Sequence, residues 1–273
     1  MTDKDDPKAR ALRLIQRIDH EAVARMPPSQ SGLTPGQLIV GGVFLSAWAN
    51  YRGIGYLVRH DLAEPAMILC RSLVYDAVRL AYFAAHSDQL ECLAVRFNHE
   101  SLGYEEGFLK ATQAAGEDIG DSLAHLNTLR AEVRSRADTL GMRKIGRLPD
   151  VSQMAREIAS AKTRLHTTVH SQIVHTGRVA IGRRLRSVEG STFRAELASE
   201  QSAIMLVCYQ AIEGFCNAWL SAALLLAWGE PTVGEINRFR DEAFAEWRGV
   251  WADWQEAPGA RKVRDTSPLQ SST

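Results

Sequence analysis

The sequence predicts an all-α protein, a bundle of about seven to eight mostly long antiparallel helices. Three observations predict it. Apolar residues recur at spacings of three and four through nearly the whole chain, long alternating β-branched runs are absent, and helix start signals are legible at several points. Several of the periodic segments exceed 20 residues, a length that suits a bundle.

The elements follow in order. A first helix is expected over about 8–26, stopped by Pro27-Pro28. The linker PPSQSGL then leads to Thr34-Pro35-Gly36-Gln37, a capping box with proline at the first helical position, opening a helix over about 35–61. A third helix is expected near 64–86. A fourth, near 88–114, has Asp88 and Glu91 as its looser box, and a fifth covers 117–140. The basic loop GMRKIGRLPD follows, and Asp150 with Gln153 opens a sixth helix running from 151 to about 176. The glycine-punctuated stretch TGRVAIGRRLRSVEGSTF reads as irregular. A long seventh helix is expected over about 195–228. An eighth, over about 232–256, has Thr232 and Glu235 as its capping box just after Pro231. No internal repeat is visible. The expected organisation is an N-terminal helix and proline linker over 1–30, a single bundle domain over 31–256, and a disordered tail over 257–273.

Composition excludes some function classes. The chain has 273 residues, 32 basic against 32 acidic, so its formal net charge is zero. No whole-molecule field draws it to nucleic acid or membrane, and any basic patch must be local. The two oily segments, 39–49 and 218–228, each fall short of the roughly 20 apolar residues that span a bilayer, and read as buried helices without stable membrane insertion. The charged N-terminus lacks the apolar core of a secretory signal, so a cytoplasmic location is expected. Cys70, Cys92, Cys208 and Cys216 lie in apolar surroundings without a C-x-x-C pair and read as buried, reduced thiols. Phe244, Trp247, Trp251 and Trp254 form an aromatic stripe on the last helix. It reads as a packing face, or else as a dimer interface.

One segment carries residues suited to chemistry. Between Glu157 and Glu189 there is no acidic residue, and His166, His170 and His175 stand among Lys162, Arg164, Arg178, Arg183, Arg184 and Arg186. The acid-free run by itself means little, because residues 22–60 form a longer one with no sign of a site. The histidines matter more. Imidazoles titrate near neutrality and arginines hold fixed charge, a combination suited to phosphate chemistry. His166 and His170 share a helix face, and so do Ser171 and His175, whereas His170 and His175 diverge around the axis.

Three readings of these residues stay open. His166 and His170 form H-x-x-x-H, two potential metal ligands, although no H-E-x-x-H occurs because Thr167 takes the place of the glutamate. The second reading is metal-independent RNA cleavage, with histidine as general acid or base and arginine as phosphate clamp. The third is structural, with hydrogen-bonded histidines holding helices together. No cofactor is expected.

Two resemblances bear on the choice. Arg164 and His170 form R-x5-H, which resembles the R-x(4–6)-H signature of the HEPN helical bundles, many of them prokaryotic toxins or defence ribonucleases; Leu165 stands where those proteins place a polar residue. Arg71-Ser72-Leu73 on the third helix, with Ser171, Val174 and His175 on the sixth, resembles the bacterial all-α family called domain of unknown function 5677. In that family an R-S-L helix is followed some hundred residues later by S-x-x-V-H. The glutamate expected four residues after the arginine is Tyr75 here, with Asp76 adjacent.

The domain-5677 resemblance implies an all-α bundle and no established activity; the site expected from both patterns together has His170, His175 and Arg164 as catalytic residues and Arg71, Ser171 and Asp76 as binding residues. Arg71, Ser171 and His175 would converge, joined by Asp76, Arg79 or Tyr104. The expected ligand is RNA or another phosphate-bearing molecule, and the expected assembly a homodimer, since HEPN-like sites are often built at dimer interfaces. The rival class is a non-catalytic interaction or regulatory module. A metal-dependent bundle using His166 and His170 is the third.

Overall fold

A computed structural model of the chain describes residues 6–27, 30–158, 185–189, 192–195 and 201–256. The protein is an all-α bundle, with eight α-helices among the described residues. These are α1 (Pro7–Arg25), α2 (Pro35–Arg59), α3 (Ala63–Ala85), α4 (Leu90–Ala114, after a 3-10 turn Ser87–Gln89), α5 (Gly120–Thr139), α6 (Val151–Ile158), α7 (Gln201–Leu225) and α8 (Glu230–Glu256). The continuation expected for the sixth helix, to about residue 176, lies outside the described residues, as does the tail 257–273.

Capping chemistry sets several boundaries. The Thr34 hydroxyl accepts the Gln37 N–H at 3.2 Å while the Gln37 side chain accepts the Thr34 N–H at 3.0 Å, the expected box at α2. Asp150 and Gln153 make the same reciprocal pair at α6, at 2.8 and 2.9 Å. Two expected boxes do not form. α8 begins at Glu230, so Thr232 lies inside the helix; Ala227 and Gly229, both at positive φ, turn the chain two residues earlier. At α4 the 3-10 turn takes up Asp88, and Glu91 is drawn away: its carboxylate accepts the Gly36 N–H of α2 at 3.1 and 3.3 Å and bonds Arg136 of α5.

The stretch expected to be irregular contains a two-stranded antiparallel ribbon, β1 (Leu185–Glu189) and β2 (Thr192–Ala195). Glu189 pairs with Thr192, and strands this short are passed over by a search for long alternating runs. The seventh helix, expected from about 195, is described from Gln201, and β2 runs to Ala195.

α7 is the central helix. It packs on α1, α2, α3 and α8, most extensively on α3. Gly214 permits this approach, since a Cβ there would lie 3.3 Å from Leu73 Cγ. Partner residues give the directions. Cys70 meets Val207 and Leu73 meets Gly214, so α3 and α7 run parallel. α2 opposes both (Ser46 with Asp76, Tyr51 with Phe215, Gln37 with Leu225), and α8 opposes α7 (Trp219 with Phe239, Tyr209 with Trp247). By length and composition Ala203–Leu225 could cross a membrane, but 72% of its most apolar window is buried inside the bundle.

Tyr51 and Phe215 stack at 4.3 Å in the aromatic centre of the core, and the Tyr51 hydroxyl donates to the Ile15 carbonyl of α1 at 2.9 Å. α1 itself contributes Leu14, Ile15 and Ile18 to the same core. The stripe on α8 packs inward: Trp247 is buried, and Phe244, Trp251 and Trp254 rest against the core cluster. Cys70, Cys208 and Cys216 are buried free thiols and Cys92 is half-buried; burial pushes Cys208 and Cys216 up to about 12, keeping both protonated. A second, smaller core of Val95, Leu102, Leu109, Leu126 and Val133 joins α4 to α5, which rests on α4 almost alone.

Candidate functional site

The site begins on α3. Arg71, Tyr75 and Arg79 are spaced four apart and form one half-buried row along that helix. The Arg71 guanidinium lies over the Tyr75 ring, 5.0 Å from its centroid, so the residue that replaces the expected glutamate still engages the arginine, through its π-face rather than a carboxylate. Asp76 points the other way, toward α2. It is buried, accepts the Ser46 hydroxyl at 2.9 Å and receives Arg79 Nη1 at 3.4 Å. Burial pushes its carboxyl above the usual carboxylate range, against the opposing pull of Ser46 and Arg79. Asp76 thus steadies Arg79 from beneath and does not itself face open space.

Arg79 and Tyr75 open into a cleft of about 420 Å³. Its second wall is α4, which supplies Phe97, Glu100 and Tyr104; its third is the segment Leu148–Ser152 with Met154. The third wall is positioned by sequence. Proline at 149 and the Asp150–Gln153 box start α6 there, and Met154 and Ala155, both buried, seat α6 on α3. The Tyr104 hydroxyl donates to Glu100 at 3.3 Å, and the Tyr104 side chain is 73% exposed at the cleft lip. Glu100 pairs with no cation among the described residues. Outside the cleft, the loop before α6 carries Arg143, Lys144 and Arg147, all exposed.

Of the residues singled out from sequence, Arg71 and Asp76 fall on α3, and Arg79 and Tyr104 share the cleft with Tyr75. Arg164, His166, His170, Ser171 and His175 lie outside the described residues. Among the described residues no three His, Cys, Asp or Glu side chains gather as a metal site. Sequence reasoning missed Tyr75, Phe97 and Glu100 as lining residues. The four-residue spacing of Arg71, Tyr75 and Arg79 was a usable signal for the first of these; for α4, only the pairing of helices reveals which face meets the cleft.

Compared with family models, curated proteins and solved structures, the chain finds no significant match in any of the three.

Proposed function

We propose that the protein is a HEPN-like, metal-independent endoribonuclease of the toxin or defence type, with the cleft on α3 as its RNA-binding site. The observation that carries this reading is the Arg71–Tyr75–Arg79 row, with Arg79 of the cleft wall braced from behind by the buried Asp76 carboxylate, which itself accepts the Ser46 hydroxyl. A guanidinium held in place by second contacts suits a phosphate, because its donors are oriented before the ligand arrives. In this reading Arg79 and Arg71 hold the phosphodiester. His170 or His175 removes the ribose 2′-hydroxyl proton or protonates the leaving oxygen, and Arg164 and Ser171 assist. Arg143, Lys144 and Arg147 attract the flanking backbone.

The test is cleavage of RNA in EDTA. His170→Ala or His175→Ala abolishes cleavage with the melting temperature unchanged, and Arg79→Ala lowers kcat/KM by about 100-fold. Unchanged cleavage in both histidine variants rejects the reading.

A second reading is favoured by a separate observation. Leu38 and Leu45 on α2 are 59% and 57% exposed, and Phe108 on α4 is 70% exposed. Such side chains suit an interaction module, with a second copy of the chain as the simplest partner. Sedimentation equilibrium of the wild type and of Leu45→Glu decides it: a dimer dissociated by the substitution supports the module, and a monomer in both removes it.

A further inference from the structure

We infer that the cleft selects a guanine base, read by the Glu100 carboxylate and stacked by the tyrosines beside it. The inference rests on the reading of this cleft as an RNA-binding site. A site for phosphate alone needs cations, yet this one also presents a carboxylate that pairs with no cation among the described residues and three aromatic rings, Tyr75, Phe97 and Tyr104. Of its two acidic lining residues, Asp150 is occupied in capping α6 through the Gln153 N–H at 2.8 Å. Glu100 keeps acceptor capacity, since its one hydrogen-bond partner among the described residues is the Tyr104 hydroxyl at 3.3 Å.

The chemistry of the bases narrows the ligand. An ionised carboxylate only accepts hydrogen bonds, and it does so best from two adjacent donors matched to its two oxygens. Guanine alone presents such a pair, N1–H and N2–H, on its Watson–Crick edge. Adenine and cytosine place a ring nitrogen lone pair beside a single amino group, which opposes the carboxylate. Uracil offers one N–H between two carbonyls. The rings supply the sequence-tolerant part of binding by stacking. Arg79, on the neighbouring wall, is placed for the attached phosphate. The cleft volume of about 420 Å³ lies within the range of small-ligand sites.

The experiment is calorimetric titration of the full-length protein with GMP, IMP, AMP and CMP. GMP binds about tenfold or more tightly than AMP, as one bidentate base contact provides. IMP, which lacks the N2 amine, falls between them. Glu100→Gln abolishes the preference for GMP over AMP, since a carboxamide no longer opposes the adenine edge, with the melting temperature unchanged. Tyr104→Ala weakens both purine nucleotides alike. Equal affinity for GMP and AMP in the wild type, absence of GMP binding, or a GMP preference that survives Glu100→Gln overturns the inference. The two proposals fail separately. RNA cleavage in EDTA with base-blind nucleotide binding removes only the guanine assignment. A GMP preference in a protein that leaves RNA intact removes only the nuclease.

Discussion

Asp76 and Arg79 form an unequal pair. The carboxylate side chain is 10% exposed, the guanidinium is 33% exposed, and 3.4 Å separates them. Burial has pushed the carboxyl upward, so the folded protein holds its proton more tightly than the unfolded chain does. The contribution of Asp76 to stability is therefore fully present below its ordinary value of 3.8 and is lost as pH rises through the raised folded value. Asp76→Asn removes this dependence. Melting curves from pH 4 to pH 7 should show the variant gaining on the wild type as pH rises; a constant difference across that range would contradict the assignment.

Tyr51 ties α2 to α1 through the Ile15 carbonyl while its ring stays stacked on Phe215. Tyr51→Phe keeps the stack and deletes the bond. The expected loss is about 1 kcal/mol in urea unfolding, with an unchanged dependence on denaturant concentration. A variant as stable as the wild type would mean that the hydroxyl adds nothing.

Gly36 and Glu91 meet so closely that a Cβ on residue 36 would lie 2.6 Å from Glu91 Oε1 and 2.9 Å from Leu90 Cγ. The carboxylate is not free to swing aside, because it bonds both the Gly36 N–H and Arg136. Gly36→Ala should cost about 1–3 kcal/mol. In a Glu91→Ala background the same substitution should cost less, and a full thermodynamic cycle of thermal unfolding measures that coupling. Strict additivity would show that the contact is not limiting.

The α4–α5 hairpin has its own small core and should open before the rest of the bundle. Amide exchange in α5 should be at least tenfold faster than in α3 and α7 under native conditions. Leu126→Ala, at the buried centre of that core, should accelerate exchange in α5 while leaving α7 protection unchanged. Uniform protection across all helices would refute a separate unit. Acid acts on the same hairpin. Hydrogen bonds from Arg130 and Lys110 hold Glu106 down to about 2, so this contribution is present above the ordinary value of 4.5 and fades as pH falls toward 2.

Most of the fold was legible because bundle helices announce themselves locally. Thr34 with Gln37, and Asp150 with Gln153, marked two helix starts by side-chain chemistry that needs no distant partner. Where a distant group competes, local reading fails. Glu91 matches a capping pattern with Asp88, but the N-terminus of α2 and the Arg136 guanidinium claim its carboxylate. The cleft was half legible. Arg71 stood out as a cation in an apolar helix, and Arg79 and Tyr104 were within view. Glu100 was not, because nothing in the α4 sequence says which of its many carboxylates faces α3. The short ribbon escaped because four or five residues of strand carry too little periodicity to stand against helical surroundings.

The parallel pairing of α3 with α7 bears on how the chain is made. Leu73 and Gly214, which meet at the heart of that contact, are separated by just over half the chain. At ordinary elongation rates of about 5–20 residues per second, α3 leaves the ribosome roughly 7–30 seconds before the helix that covers it. During that interval Met67, Cys70, Leu73 and Val74, all buried in the finished protein, have no partner from α7. The bundle is therefore completed from its C-terminal third inward. A nascent chain halted before α7 presents an open apolar seam, the state in which chaperone capture or premature association of two chains competes with folding.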